Sequence, residues 1–135
     1  MNDQQMNDEP MNDQPLKGRL STHVLDTSIG RPAEGVGVSV RRIAPDGQVE
    51  LLVETITNAD GRTDVPLLEG DAFIAGVYEL SFVVGGYFAA AATAAGSGAV
   101  PFLDVVPVRF ATVGGEHLHV PLLVTPWSYS TYRGS

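Results

Sequence analysis

Cysteine is absent from this 135-residue sequence, and Lys17 is its only lysine. The lack of cysteine excludes disulfides and thiolate chemistry, and it fits a cytoplasmic protein, which is the compartment we predict. Basic residues are so few that the formal net charge is −8, and they form no stripe along the chain. Nucleic acids and anionic membrane surfaces are therefore not expected partners.

Long apolar runs are also missing. The most apolar stretch, residues 87–95, is short and mostly alanine, whereas a membrane-spanning helix needs about 20 apolar residues. Residues 1–15 form three near-copies of a polar unit, MNDQQ, MNDEP and MNDQP, and this stretch lacks the apolar core of a signal peptide. We therefore predict no membrane association, a low-complexity disordered leader over residues 1–16, and one domain over residues 17–135.

The rest of the chain has the composition of a globular protein, since 44% of all residues are hydrophobic and 18% are charged. From Leu20 onward, short runs of alternating apolar residues are separated by Gly, Pro, Asn and Asp, a pattern typical of half-buried strands. About eight such strands must bury their apolar faces against a second layer, which predicts an all-β sandwich of two sheets. The runs that favour strands are 20–25, 36–40, 49–57, 62–65, 77–84, 105–112 and 117–124.

Turn and helix signals are fewer than strand signals. The tripeptide Pro45-Asp46-Gly47 predicts a turn that joins the second and third strands in a hairpin. One short helix is expected over residues 70–76, with Asp71 as its N-cap and Gly76 as its end. In residues 85–100 the alanines favour a helix and the glycines favour a loop, so this pattern leaves both open.

All three histidines lie in predicted strands, on the face opposite the core. In the last strand Leu118 and Val120 belong to the apolar face, which leaves His117 and His119 together on the other face. The same alternation turns His23 outward from the first strand. The three side chains could therefore meet, although each by itself would also be an ordinary solvated surface residue.

A histidine pair beside an arginine suits hydrolysis. Neutral imidazole can take a proton from water, and a guanidinium can stabilise the oxyanion that forms. Arg62 follows the turn signal at 58–61 and is a candidate, although a turn arginine also often pairs with a surface carboxylate. The histidines could instead hold zinc, with His23 as third ligand, but no cysteine or His-Glu-x-x-His helix supports this. Phosphate-binding loops and the Gly-x-Ser-x-Gly nucleophile turn are missing.

The C-terminal residues 117–135, HLHVPLLVTPWSYSTYRGS, resemble the end of the 5-hydroxyisourate hydrolases in the transthyretin-like family. The terminal Tyr-Arg-Gly-Ser separates these enzymes from transthyretin, the hormone carrier. The stretches LSTHVLD at 20–26, GRP at 30–32, NADGR at 58–62 and VPVRF at 106–110 extend the resemblance over residues 17–135. The repeats at 1–15 and the alanines at 89–95 depart from the family pattern.

The resemblance implies a transthyretin-like sandwich with one short helix that opens the N1–C6 bond of 5-hydroxyisourate in urate breakdown, without a metal or cofactor. It also implies a homotetramer, a dimer of dimers joined at edge strands, with a channel lined by the first and last strands. Carried over by position, the catalytic residues are His23, Arg62, His119 and Ser135. Tyr132 would contact the substrate together with Arg62 and Ser135, and His117 is the less favoured histidine.

Two other classes of protein remain as alternatives. A transthyretin-type carrier would hold a small aromatic ligand in the same channel without reacting it, but the Tyr-Arg-Gly-Ser end and the histidines argue against that. For a structural or adhesive sandwich we would expect repeated domains or an export signal, and the sequence has neither.

Overall fold

The computed structural model describes residues 18–134. The repeats at residues 1–15, Lys17 and the terminal Ser135 lie outside the described residues, and so does the leader predicted for residues 1–16. Within residues 18–134 the chain forms two sheets and one α-helix. The strands are β1 (Arg19–Asp26), β2 (Arg31–Pro32), β3 (Gly37–Ile43), β4 (Val49–Ile56), β5 (Leu68–Glu69), β6 (Gly76–Val83), β7 (Val105–Thr112), β8 (His117–Val124) and β9 (Tyr129–Thr131), and the helix is α1 (Val84–Ala94).

The two sheets confirm the predicted sandwich. One sheet has the strand order β2-β1-β8-β9, with β5 paired to the other end of β1, and the second has the order β4-β3-β6-β7. All pairs are antiparallel except β1 with β8, which run parallel along their full length. The predicted hairpin is confirmed as β3 and β4, with an irregularity in register between Val40 and Arg41.

The core lies between the sheets and is made by alternate residues of each strand, as the period of two requires. Strand β1 shows this pattern, because Leu20 and Val24 are fully buried whereas His23 between them is only half-buried. The largest fully buried side chains are Tyr78, Phe73, Phe82, Leu20, Leu80 and Leu122. The outward faces therefore carry the polar side chains, including those proposed for chemistry.

The short helix predicted within residues 70–76 forms as a single 3-10 turn, but the prediction that it is the only helix was wrong. Residues Gly70–Ala72 form one 3-10 turn, Asp71 lies inside that turn rather than capping it, and Gly76 begins β6. The α-helix is the alanine-rich segment Val84–Ala94, where the pattern had left helix and loop open. Alanine propensity prevails there because Val84 and Phe88, one turn apart, are buried in the core.

Tertiary packing also explains the glycine near the start of α1. A Cβ on Gly85 would lie 2.8 Å from Oδ1 and 2.9 Å from Cα of Asp104, so the helix can approach the chain before β7 only with glycine there. The helix has 11 residues. In the described part of the chain no helix is both long and apolar enough to cross a membrane.

The strand predicted from Arg62 to Val65 does not form. Arg62 makes only an isolated antiparallel bridge to His23. Val65 is 70% exposed and is followed by Pro66, which has no backbone N–H for a sheet. The apolar side chain that suggested a strand therefore lies on the surface of an irregular connection.

A buried carboxylate ties β1 to the helix. Asp26, at the end of β1, is 2% exposed. One of its oxygens accepts hydrogen bonds from the backbone N–H and hydroxyl of Ser28, and the other accepts one of 2.7 Å from the hydroxyl of Tyr87. Burial, and then the bond to Asp26, raises the pKa of Tyr87 above its usual range. The raised pKa favours the protonated phenol, which is the form that donates to Asp26.

Removing this donor should destabilise the fold. In Tyr87→Phe the Oδ2 atom of Asp26 loses its phenol partner in a buried setting, so we expect the free energy of unfolding to fall by about 1–3 kcal/mol. Urea denaturation measures the change. Tyr129→Phe, at a tyrosine that is 44% exposed, is the control and should change stability by less than about 0.5 kcal/mol. Equal losses in the two variants would contradict a specific role for the bond.

Candidate functional site

The parallel pairing of β1 with β8 brings the outward residues of the two strands side by side. Ser21 lies opposite His119, and His23 lies opposite Pro121, one alternate position further along. Because parallel neighbours keep the same facing, His23, Ser21 and His119 share the outer surface of the sheet. The prediction that His23 and His119 lie on the outer face of the sheet is therefore confirmed.

Two of the three histidines are in direct contact. Nδ1 of His23 and Nε2 of His119 are 2.6 Å apart, and the rings stack with centroids 4.8 Å apart and planes inclined by 22°. The other ring nitrogen of His119, Nδ1, is 2.8 Å from the hydroxyl oxygen of Ser21. A continuous line of hydrogen bonds therefore runs from Ser21 through His119 to His23.

Arg62 is held next to this line by a tight turn. The side-chain oxygen of Asn58 accepts hydrogen bonds from the backbone N–H groups of Asp60 and Arg62, and the turn bonds to β1 through the carbonyl of Gly61. Gly61 has φ +72°, and a Cβ there would lie 2.4 Å from the carbonyl oxygen of Val24. Only glycine allows this turn to lie against β1.

An open cavity of about 440 Å³ lies beside the pair. Arg62, His119 and Ser21 contribute to its wall, as do Arg19 and His117 at the start of the two strands. His23 is not in the wall itself, and its bond to His119 is what connects it to the cavity. The cavity is thus lined by groups that bind anions and exchange protons.

The electrostatic environment keeps both paired histidines neutral. Burial, and then the positive charge of Arg62, lowers the pKa of His23. Burial, His23 and Arg62, in that order, lower the pKa of His119. Because the pKa of each histidine is lowered, the neutral form of both imidazoles is favoured at neutral pH. The pair can therefore accept a proton.

His117 takes a different position from the other two histidines. It lies at the exposed start of β8, where its Nδ1 is 3.5 Å from a guanidinium nitrogen of Arg19. Among residues 18–134 no three His, Cys, Asp or Glu side chains come close enough to hold a metal ion. The three-histidine zinc site considered as an alternative is therefore not formed by these side chains.

The C-terminus returns to His119. The backbone N–H of Gly134 donates to the carbonyl of His119 at 2.7 Å, and the N–H of His119 donates back at 3.3 Å. A Cβ on Gly134 would lie 2.9 Å from that carbonyl oxygen, so the close approach requires glycine. Arg133 forms an ion pair of 2.6 Å with Glu116, which precedes β8. Ser135 follows Gly134 directly but lies outside the described residues.

Tyr132 is not joined to the histidine pair within one chain. Its side chain is 59% exposed, and it lines a second hollow of about 280 Å³ with Phe110 and Thr131 between β7 and β9. Its contact with substrate stays a prediction. Sequence reasoning missed Ser21 and Glu116, although Ser21 lies two residues before His23 and therefore shares its face.

The charge of Arg62 should be measurable at the pair. The positive charge of Arg62 is one of the causes that lower the pKa of His23 and of His119. In Arg62→Gln this charge is lost, so both pKa values should rise toward that of a free imidazole. NMR titration of the imidazole signals follows this. Arg41→Gln, on the other sheet, should leave both midpoints where they are. Unchanged midpoints in Arg62→Gln would mean that burial, together with the charge of His23 in the case of His119, sets both pKa values without Arg62.

The ion pair of Arg133 should hold the C-terminus on β8. Hydrogen bonds from Thr112 and Arg133 lower the pKa of Glu116, so this contact is present above the usual glutamate range and is lost as pH falls through the lowered pKa. In Glu116→Gln the ion pair with Arg133 is lost, so the neighbouring backbone amide of Gly134 should exchange its hydrogen with solvent faster at neutral pH. The increase should be roughly a few-fold, because an exposed ion pair stabilises only slightly. Glu79→Gln, which removes the exposed pair with Arg109, should not affect this amide.

Acidic conditions provide a further check on that interpretation. The difference between the wild type and Glu116→Gln should vanish once Glu116 is protonated. A difference that persists there, or equal exchange at neutral pH, would contradict an anchoring role for the pair.

A family model and a named relative both match most of this chain. The family model described as HIUase/Transthyretin family matches residues 20–134. The 5-hydroxyisourate hydrolase of Halalkalibacterium halodurans is 53% identical over 121 residues, which are 89% of this chain and 100% of that protein.

Solved structures show the same fold. The 5-hydroxyisourate hydrolase of Klebsiella pneumoniae superposes with a TM-score of 0.68 at 37% identity, covering 87% of this chain and 94% of that one. Sea bream transthyretin in complex with thyroxine superposes with a TM-score of 0.74 at 31% identity, covering 86% and 94%. With a family model that spans nearly all of the described residues, the chain belongs to the HIUase/Transthyretin family.

Proposed function

We propose that this chain is an enzyme that hydrolyses 5-hydroxyisourate, opening the N1–C6 bond to give 2-oxo-4-hydroxy-4-carboxy-5-ureidoimidazoline in urate breakdown. The observation that carries the proposal is the hydrogen-bonded pair of His23 and His119, kept neutral beside Arg62 at an open cavity. The 53% identity to a 5-hydroxyisourate hydrolase supports the same substrate.

The first step is the activation of water. A water in the cavity gives a proton to the neutral pair of His119 and His23, and its oxygen attacks the C6 carbonyl carbon of the substrate. The carbonyl oxygen becomes an oxyanion, which the guanidinium of Arg62 stabilises. The same guanidinium orients the flat ring before the attack.

The second step breaks the ring. The oxyanion collapses to the carbonyl, the C6–N1 bond breaks, and N1 takes up the proton that the histidine pair had accepted. The pair returns to its neutral state, so one water is consumed and no other reactant is needed. The scheme uses neither a metal nor an organic cofactor. Ser135 would bond the substrate or the attacking water, and Tyr132 would narrow the channel around the ring.

The assembly we propose is a homotetramer, a dimer of dimers with the site at the dimer–dimer interface. The outer edges of the two sheets support it, because β9 ends one sheet and β7 ends the other without a further neighbour among residues 18–134. Tyr132 is exposed beside these edges. A second copy facing β1 and β8 would turn the open cavity into a channel. A cytoplasmic location stays a prediction from the composition.

The carrier alternative has less support. Identity is 31% to the transthyretin solved with thyroxine and 53% to the hydrolase. A carrier needs no proton acceptor, whereas this cavity is next to two coupled imidazoles held neutral. Binding of a small aromatic ligand without turnover would be the result that favours the carrier.

Loss of Arg62 should nearly abolish turnover. In Arg62→Ala the oxyanion loses its positive partner, so kcat should fall by about a hundredfold or more. Fresh 5-hydroxyisourate made from urate with uricase is mixed with the protein, and the decay of its ultraviolet absorbance is followed.

Two measurements complete this experiment. Arg41→Ala, at a guanidinium on the other sheet that bonds Ser39, should keep the wild-type rate. Light scattering should give the mass of a tetramer for the wild type and both variants, which separates lost chemistry from lost assembly. A wild-type rate no faster than spontaneous decay would refute the proposed hydrolase, and full turnover in Arg62→Ala would refute the role of Arg62.

A further inference from the structure

Ser21 ends the line of hydrogen bonds on the side of His119 opposite His23, and the proposed hydrolysis steps do not involve it. It lies on β1 opposite His119, half-buried, and its side chain forms part of the cavity wall. Its hydroxyl oxygen is 2.8 Å from Nδ1 of His119. The opposite ring nitrogen of His119 is bonded to His23 at 2.6 Å. Both nitrogens of His119 are therefore engaged, one by each neighbour on β1.

A hydroxyl is suited to this place because it can donate or accept. When Nδ1 of His119 carries no hydrogen, the O–H of Ser21 donates to it, and when Nδ1 is protonated, the same oxygen accepts. A carbonyl, a carboxylate or an ammonium group could satisfy only one of these states. The position thus accommodates a histidine whose protonation changes.

We propose that Ser21 is a positioning residue for hydrolysis, which fixes the ring of His119 and keeps its Nδ1 bonded both before and after the pair accepts a proton. This inference rests on the proposed function. Ser21 forms no bond to the substrate. Because both nitrogens of His119 are hydrogen-bonded, the proton of the water reaches Nδ1 through Ser21, whose hydroxyl passes its own hydrogen to Nδ1 as it takes one from the water and so ends unchanged. When His119 becomes an imidazolium, it donates Nδ1–H to Ser21 and Nε2–H to His23, and the serine hydrogen turns toward the cavity.

The other groups around His119 explain why an acceptor at Nδ1 would stabilise its protonated form. Arg62 from the turn at 58–62 and Arg19 at the start of β1 bring positive charge to the same cavity, and His117 lies on the strand of His119. Among residues 18–134, Asp64 is the only carboxylate in that wall. The segment after β9 faces His119 with the backbone of Gly134, since Arg133 is paired with Glu116. Most charged groups around His119 are positive and therefore disfavour its protonated form. Ser21 is a neutral acceptor for the Nδ1–H of that form, and without it this hydrogen bond would be lost.

The kinetic test compares Ser21→Ala with Ser21→Thr. Ser21→Ala should lower kcat roughly tenfold, the effect of one net hydrogen bond lost from the protonated state, with little change in KM. The acidic limb of the kcat/KM profile should move to lower pH, because removing the acceptor disfavours protonation. Ser21→Thr keeps the hydroxyl and should restore most of the rate and the profile. Ser81→Ala, at a half-buried serine of the other sheet, should behave as the wild type.

A second readout does not depend on activity. Nitrogen-15 NMR of the histidine rings reports which nitrogen of His119 carries hydrogen and the pH at which the ring titrates. In Ser21→Ala the Nδ1 signal and the titration midpoint of His119 should change, the midpoint falling, whereas Ser81→Ala should leave both unchanged.

The outcomes separate the two proposals. If the wild type does not hydrolyse 5-hydroxyisourate but the His119 signals of Ser21→Ala still shift, the proposed function fails and the coupling of Ser21 to His119 stands. If Ser21→Ala keeps the wild-type kcat, pH profile and His119 signals, the role of Ser21 is overturned. If Ser21→Thr is as impaired as Ser21→Ala, the effect is one of shape and the hydroxyl has no positioning role.

Discussion

The parallel pairing of β1 with β8 is the contact on which the candidate site depends. It joins strands from opposite ends of the described chain in full register, from Arg19 with His117 to Asp26 with Val124. A slip of one residue would send the outward side chains into the core, and the burial of Leu20 and Val24 in β1 makes that slip costly. The core packing of these two strands therefore also sets the distance between the imidazoles.

Two further segments reach the site by close backbone contact. The turn that carries Arg62 lies against β1 because Gly61 has no Cβ, and the C-terminus lies against His119 because Gly134 has none. In a protein with a formal net charge of −8, the wall of this cavity concentrates guanidinium groups. Positive charge and partial burial act in the same direction on the two imidazoles, which keeps them neutral and able to act as bases.

Much of the fold could be predicted because strands have a period of two. Alternation placed Leu118 and Val120 in the core and His119 outside it, and both placements are confirmed. The helix was harder to predict because alanine and glycine give opposite signals. Burial of Phe88 and the approach of Gly85 to Asp104 decide that segment, and both depend on residues distant in sequence. The strand predicted from Arg62 to Val65 depended on the apolar side chain of Val65, which the fold leaves exposed to solvent.

The sequence by itself determined which residue types face outward, the sandwich class and the family, because alternation and local motifs are properties of neighbouring residues. Only the tertiary structure decided that His23 contacts His119 rather than His117, that Ser21 completes the line, and that Tyr132 lies in another hollow of the same chain. These are distances between strands separated by most of the chain. They follow from strand order and register, which no local pattern encodes.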